Sequence, residues 1–109
     1  GSWCGWHRDH GSLTGLTAAM FASEDGHPTD CPDPQAGLYV KARAGQLQRV
    51  LIPEGHIAYQ LGEVAQALSG GLLCATPHCV KAPSTECTNN GISRNTFAVF
   101  MQPHWDEQL

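Results

Sequence analysis

Charge is scarce in this sequence. Only 15% of its 109 residues are Asp, Glu, Lys or Arg, against roughly a quarter in ordinary soluble domains. So low a share suits a piece that other protein covers. Lys and Arg number 6 against 10 Asp and Glu, a formal net charge of -4, and no basic run occurs. A nucleic-acid surface is therefore not expected. No apolar run approaches membrane-span length and no secretory signal opens the chain, so no membrane partner is expected either. The 5 cysteines, Cys4, Cys31, Cys74, Cys79 and Cys87, contain no Cys-x-x-Cys pair. That makes a zinc ribbon a poor reading, and an odd count rules out a complete disulfide framework. Reduced thiols in a cytoplasmic protein are the expectation. Gly-x-Gly-x-x-Gly and phosphate-loop motifs are also missing, which leaves nucleotide chemistry without support.

What the chain does have is short apolar runs divided by turn residues at regular spacing, the pattern of an all-β protein. Strands are expected over 13–21, 37–42, 47–52, 57–61, 72–80 and 93–101. Ala44-Gly45 and Pro53-Glu54-Gly55 supply turns, and residues 22–36 and 82–91, rich in Pro, Gly, Asp or Asn, read as loops. Residues 63–68 alone have helical composition, stopped by Ser69-Gly70-Gly71. The length allows one domain, 1–109, with one core. Many short strands with one helical turn suggest a sandwich or jelly roll.

Trp6-His7-Arg8-Asp9-His10 carries the first piece of chemistry. In an extended chain His7 and Asp9 share one face while Arg8 points away. A distant second histidine, His78, would complete a two-histidine, one-carboxylate set of the kind that holds non-haem Fe(II) and leaves positions open for a co-substrate and dioxygen. His-x-Asp by itself is common, and a lone histidine is more often packed or solvated than a ligand. His10 is a possible decoy for either neighbour.

The second piece is Arg94-Asn95-Thr96. Period two places Arg94, Thr96, Ala98 and Phe100 on one face. A guanidinium fork beside a hydroxyl makes a good carboxylate seat. An edge-strand Arg paired with a local acid is the plainer account, but this strand carries no acid, and a buried unpaired charge is costly.

Taken in order, these motifs resemble the C-terminal half of the catalytic domain of a 2-oxoglutarate and Fe(II)-dependent dioxygenase of the isopenicillin N synthase-like superfamily. His7-x-Asp9 resembles the proximal metal pair, and Gly37-Leu38-Tyr39-Val40 the Gly-Leu-x-Val strand. Pro53-Glu54-Gly55 with Gln60-Leu61-Gly62-Glu63 resembles the segment that usually reads Pro, Gly, then Asn-Ile-Gly-Asp. Leu68-Ser69-Gly70-Gly71 resembles the Leu-Ser-Asn-Gly turn, Thr76-Pro77-His78 the distal-histidine strand, and Arg94-x-Thr96 the Arg-x-Ser seat. The match runs along almost the whole chain. It implies a double-stranded β-helix, a cupin-like jelly roll present in part. His7, Asp9 and His78 would bind Fe(II), and Arg94 and Thr96 would anchor 2-oxoglutarate. A small-molecule substrate would be oxidised by dioxygen with release of succinate and CO2.

The departures are Cys79 where the family usually has Arg, Thr96 for Ser, and loops over 22–36 and 82–91 that look long. The resemblance also implies that an N-terminal portion is missing, with the strand bearing the usual co-substrate tyrosine. The chain alone is then expected to bind iron weakly, to keep an open sheet edge and to expose Trp3, Trp6 and Leu13. The alternative is a non-catalytic cupin-like metal-binding or interaction module, echoed faintly in Pro53-x-Gly55-His56, which leaves Arg94-x-Thr96 without a purpose.

Overall fold

The computed structural model describes residues 2–84 and 91–108. The middle of the loop expected over 82–91, with Cys87, lies outside them. The chain forms β1 (Ser2–His7), β2 (Leu13–Thr17), β3 (Met20–Ser23), β4 (Pro28–Thr29), β5 (Gly37–Lys41), β6 (Leu47–Val50), β7 (Ile57–Leu61), α1 (Glu63–Leu68), β8 (His78–Lys81), β9 (Ile92–Asn95) and β10 (Ala98–Met101). It is an all-β jelly roll with one short helix, as the composition and turn spacing predict.

One layer is a four-stranded sheet in the order β1-β8-β5-β6, with antiparallel neighbours. The second layer consists of β10-β2-β7 and β4-β3-β9. These two small sheets continue each other. Leu16 lies opposite Ala98 and Met20 opposite Asn95, so one long antiparallel pair bends at the break. There the Thr17 amide donates to the Phe97 carbonyl at 3.1 Å, and the Phe97 amide donates to the Thr17 hydroxyl at 3.2 Å. A side chain thus takes over one rung of the ladder, which is why the expected single strands over 13–21 and 93–101 each divide in two. The alternation of burial survives the break, with Arg94, Thr96 and Ala98 half-buried between exposed neighbours.

The strand expected over 72–80 shortens to β8. Pro77 lacks an amide hydrogen and so cannot donate to a strand ladder. Side chains satisfy this irregular stretch instead. Arg43 donates to the Leu72 carbonyl at 3.1 Å, and the Ala75 amide donates to Gln66 Oε1 at 2.7 Å. The loop expected over 22–36 is partly structured, because β3 runs on to Ser23 and turns through Gly26 (φ 86°) into β4. Its far end is pinned by Asp33, whose carboxylate accepts the Gln35 and Ser84 amides, each at 2.9 Å.

Apolar burial is thin. Among the described residues the buried apolar side chains are Ala36, Leu38, Ala75 and Cys79, while Trp3 and Trp6 are 44% and 49% exposed. The radius of gyration is 15.7 Å, against about 13 Å for a compact domain of some 100 residues. β1 forms an edge of its sheet. No helix among the described residues is long and apolar enough to cross a membrane.

With so little core, the turn after β1 depends on a backbone staple. The Gly62 amide donates to the Ser12 carbonyl at 3.0 Å, Glu63 to Asp9 at 2.8 Å, and Val64 to Gly11 at 3.1 Å. Gly62 is needed here for space rather than for backbone freedom, since its φ is -101°. A Cβ at this position would collide with the Gly11 carbonyl. Gly62→Ala should therefore lower unfolding stability by about 1–3 kcal/mol, the usual cost of overpacking. Denaturant titration followed by far-UV circular dichroism measures it.

Candidate metal centre

β1 and β8 are neighbours, and their register sets His7 directly opposite His78. The two imidazole centroids are 4.2 Å apart with the rings tilted by 56°. Asp9 follows β1 by two residues, where the staple from residues 62–64 holds its carbonyl. Its Oδ1 lies 3.5 Å from His7 Nε2 and 3.4 Å from His78 Nε2. One ligand atom from each of the three side chains falls within 4.8 Å of the other two.

Each imidazole is oriented from behind. His7 Nδ1 is 2.8 Å from the Gly5 carbonyl, and His78 Nδ1 is 3.0 Å from the Thr76 carbonyl. A carbonyl only accepts, so Nδ1 carries the proton in both rings and each Nε2 presents its lone pair toward Asp9. A backbone carbonyl fixing the tautomer is the usual support for a metal-binding histidine. Among the described residues Asp9 pairs with no Lys or Arg. Two neutral imidazole nitrogens and a carboxylate oxygen suit a divalent first-row ion. Asp9 and His78 are buried, whereas His7 has 41% of its side chain exposed, so the cluster opens on the His7 side.

The second carboxylate oxygen faces the other layer. Thr14 Oγ1 on β2 donates to Asp9 Oδ2 at 2.6 Å, and Gln60 Nε2 on β7 donates to the same atom at 2.8 Å. Thr14 and Gln60 are register partners. Burial pushes the Asp9 carboxyl up, but the hydrogen bonds it accepts, from Thr14 first and then Gln60, act against this, and the carboxyl lies below its ordinary value. Neither residue stands out in the sequence as a site candidate. Gln60 falls within the Gln60-Leu61-Gly62-Glu63 segment, but only the fold directs its amide to Asp9. Thr14 has no motif around it. His10, the possible decoy, is 92% exposed and turns away to Glu63 Oε2 at 3.1 Å.

Arg94, on β9, lines a cavity of about 400 Å³ with Trp3, Cys4, Val80, Ile92 and Ser93, and a second of about 150 Å³ with Cys31, Leu38 and Arg49. Val80 lies two residues beyond His78 on β8, and Cys4 is its register partner. Successive side chains alternate faces, so the larger cavity opens on the face that carries His78, roughly 7 Å along the strand. Cys4 Sγ, at 3.6 Å from His7 Nδ1, stands between the cavity and the histidine cluster. Among the described residues, Arg94 Nε and Thr96 Oγ1 are buried without a hydrogen-bond partner. Burial pushes the Arg94 guanidinium below its usual value, with Cys31 opposing. Of the other described cysteines, Cys31 is half-buried, Cys74 exposed and Cys79 buried, and none of these three or Cys4 forms a disulfide with another described residue.

No protein-family model and no curated protein matches the sequence. Solved structures do. A Shewanella oneidensis protein assigned as an oxygenase superposes with a TM-score of 0.68 at 23% identity, over 94% of this chain and 32% of its own. Full-length T7H of Neurospora crassa, in complex with alpha-KG and thymine, superposes with a TM-score of 0.67 at 24% identity, over 94% of this chain and 27% of its own. A Caulobacter crescentus protein assigned to the 2OG-Fe(II) oxygenase family gives a TM-score of 0.64 at 23% identity, over 90% of this chain and 27% of its own. This chain therefore spans about a third or less of the length of these proteins, and it shares their jelly-roll fold.

Proposed function

We propose that this chain is the metal-binding core of an Fe(II)- and 2-oxoglutarate-dependent oxygenase of the isopenicillin N synthase-like superfamily. In this reading it oxidises a small-molecule substrate with dioxygen and releases succinate and CO2. The observation that carries it is the convergence of His7 Nε2, His78 Nε2 and Asp9 Oδ1 with both Nδ1 atoms occupied by backbone carbonyls. A packed or solvated histidine has no need of that arrangement on both rings. The likeness to structures solved with alpha-KG supports the same reading.

In this role His7, Asp9 and His78 hold the ion. Fe(II), when bound, supplies dioxygen activation coupled to oxidative decarboxylation of 2-oxoglutarate. The chain's own part is binding, orientation and exclusion of water. Arg94, with a buried Nε lacking a partner, and Thr96, with a buried hydroxyl in the same condition, form the seat for the far carboxylate of 2-oxoglutarate. Buried donors without partners are costly until an acceptor such as an anion arrives, and this is what the alternative of a non-catalytic metal-binding module leaves unexplained. The thiols of Cys4, Cys31, Cys74 and Cys79, in no disulfide among the described residues, fit work in a reducing compartment such as the cytoplasm. A longer polypeptide around this core would supply substrate contacts and cover Trp3 and Trp6.

Three measurements test the assignment. His78→Ala removes a metal ligand, so it should weaken Fe(II) binding by more than the roughly 10–100-fold typical of losing an outer-shell partner. Anaerobic Fe(II) titration reads this directly, and unchanged affinity would place the ion elsewhere. Arg94→Lys replaces a bidentate fork with a point charge. It should weaken 2-oxoglutarate binding by about 1.5–3 kcal/mol while leaving Fe(II) affinity intact, as isothermal calorimetry would show. Equal 2-oxoglutarate affinity in that variant would remove Arg94 from the seat. Succinate formation by the chain and by any longer polypeptide that contains it separates an enzyme from a metal-binding module.

A further inference from the structure

The two Asp9 oxygens are treated differently by the fold. Oδ1 faces both Nε2 atoms, at 3.5 and 3.4 Å. Oδ2 faces away and accepts two hydrogen bonds from the opposite layer, from Thr14 Oγ1 at 2.6 Å and Gln60 Nε2 at 2.8 Å. A carboxylate bound to a cation can offer one oxygen or chelate with both. Chelation here would require Oδ2 to swing toward the ion and abandon both donors. Thr14 is deeply buried, at 2% exposure, and water cannot readily replace it as a donor.

Gln60 is oriented by the same logic. Its amide nitrogen is also 3.2 Å from His78 Nε2. Since His78 Nδ1 holds the ring proton, Nε2 is an acceptor, and one amide nitrogen serves it and Asp9 Oδ2 with its two hydrogens. The amide oxygen could satisfy neither. When His78 Nε2 is given to an ion, the bond to Asp9 Oδ2 is the one that Gln60 keeps.

We infer that Thr14 and Gln60 are positioning residues that restrict Asp9 to one-oxygen coordination and so preserve an open position on the ion. The inference rests on the metal-centre reading proposed above. In an octahedral ion, three protein donors leave three positions. Two-oxygen binding by Asp9 would leave two, and a co-substrate that chelates would then fill both.

The test uses Mn(II), a hard divalent ion suited to octahedral sites, and counts its bound waters by proton relaxivity in the 109-residue chain. Thr14→Val with Gln60→Met removes both donors at nearly constant volume. The double variant should still bind Mn(II), weakened by no more than the roughly 10–100-fold typical of losing outer-shell partners, but relaxivity per bound ion should fall by about one third, from three waters to two. With 2-oxoglutarate added, the wild-type chain should retain about one bound water and the double variant none. Thr14→Ser, which keeps the hydroxyl, should match wild type. Should the double variant fail to fold, Gln60→Met alone carries the test, with a fall in the same direction expected. Equal relaxivity in wild type and variant would overturn the inference and leave the metal reading standing. Loss of Mn(II) by the folded variant would overturn it as well, because the donors would then support the carboxylate's charge rather than limit its contacts. No Mn(II) binding by the wild-type chain would overturn the metal reading itself, and this inference with it.

Discussion

The structure depends on how the Asp9 carboxylate is held. It sits where the two layers meet. One oxygen belongs to the β1/β8 edge, facing His7 and His78, and the other belongs to the β2/β7 layer, through Thr14 and Gln60. In a chain whose buried apolar side chains are few and small, a buried ionised group carries unusual structural weight. It costs desolvation, and the four polar partners around it must offset that cost.

Two further features follow from that placement. The backbone staple from residues 62–64 to residues 9–12 fixes the turn that delivers Asp9, and it is possible because Gly62 lets two backbones approach. The β1–β8 register then brings His7 against His78 without any further device. The site is thus assembled from one turn, one strand pair and one rung of the opposite layer, and a shift in any of the three would separate the ligand atoms. The same economy explains the polar cavity along the strand. Arg94 enters the space between the layers from the continuation of β10, bringing a charge that nothing among the described residues neutralises.

Much of the fold was legible in the sequence. The turns at Gly45 and Gly55, the strand over 57–61 and the helix over 63–68 lie where composition places them, because each rests on local chemistry: glycine at positive φ, alternation of apolar residues, a helical run ended by Gly70 and Gly71. The resemblance to the dioxygenases rested on the order of short motifs, and it pointed to His7, Asp9, His78, Arg94 and Thr96. Strand boundaries were less legible. The break at 17–20 and 95–98 comes from Thr17 substituting its hydroxyl for a backbone rung, and the short β8 comes from Pro77 with side-chain partners for Leu72 and Ala75.

By itself, then, the sequence determined the all-β class, the local turns and helix, and which side chains are the candidates for metal and anion binding. Tertiary structure alone decided that His7 and His78 stand opposite each other across 71 residues of chain, which nitrogen of each ring is free, and that Asp9 is buried. It also decided the roles of Thr14 and Gln60, which no motif marks. The physical reason is the range of the interactions. Turn and helix preferences act over a few neighbouring residues, whereas the orientation of an imidazole or a carboxylate is set by hydrogen bonds from strands that only the closed fold brings together.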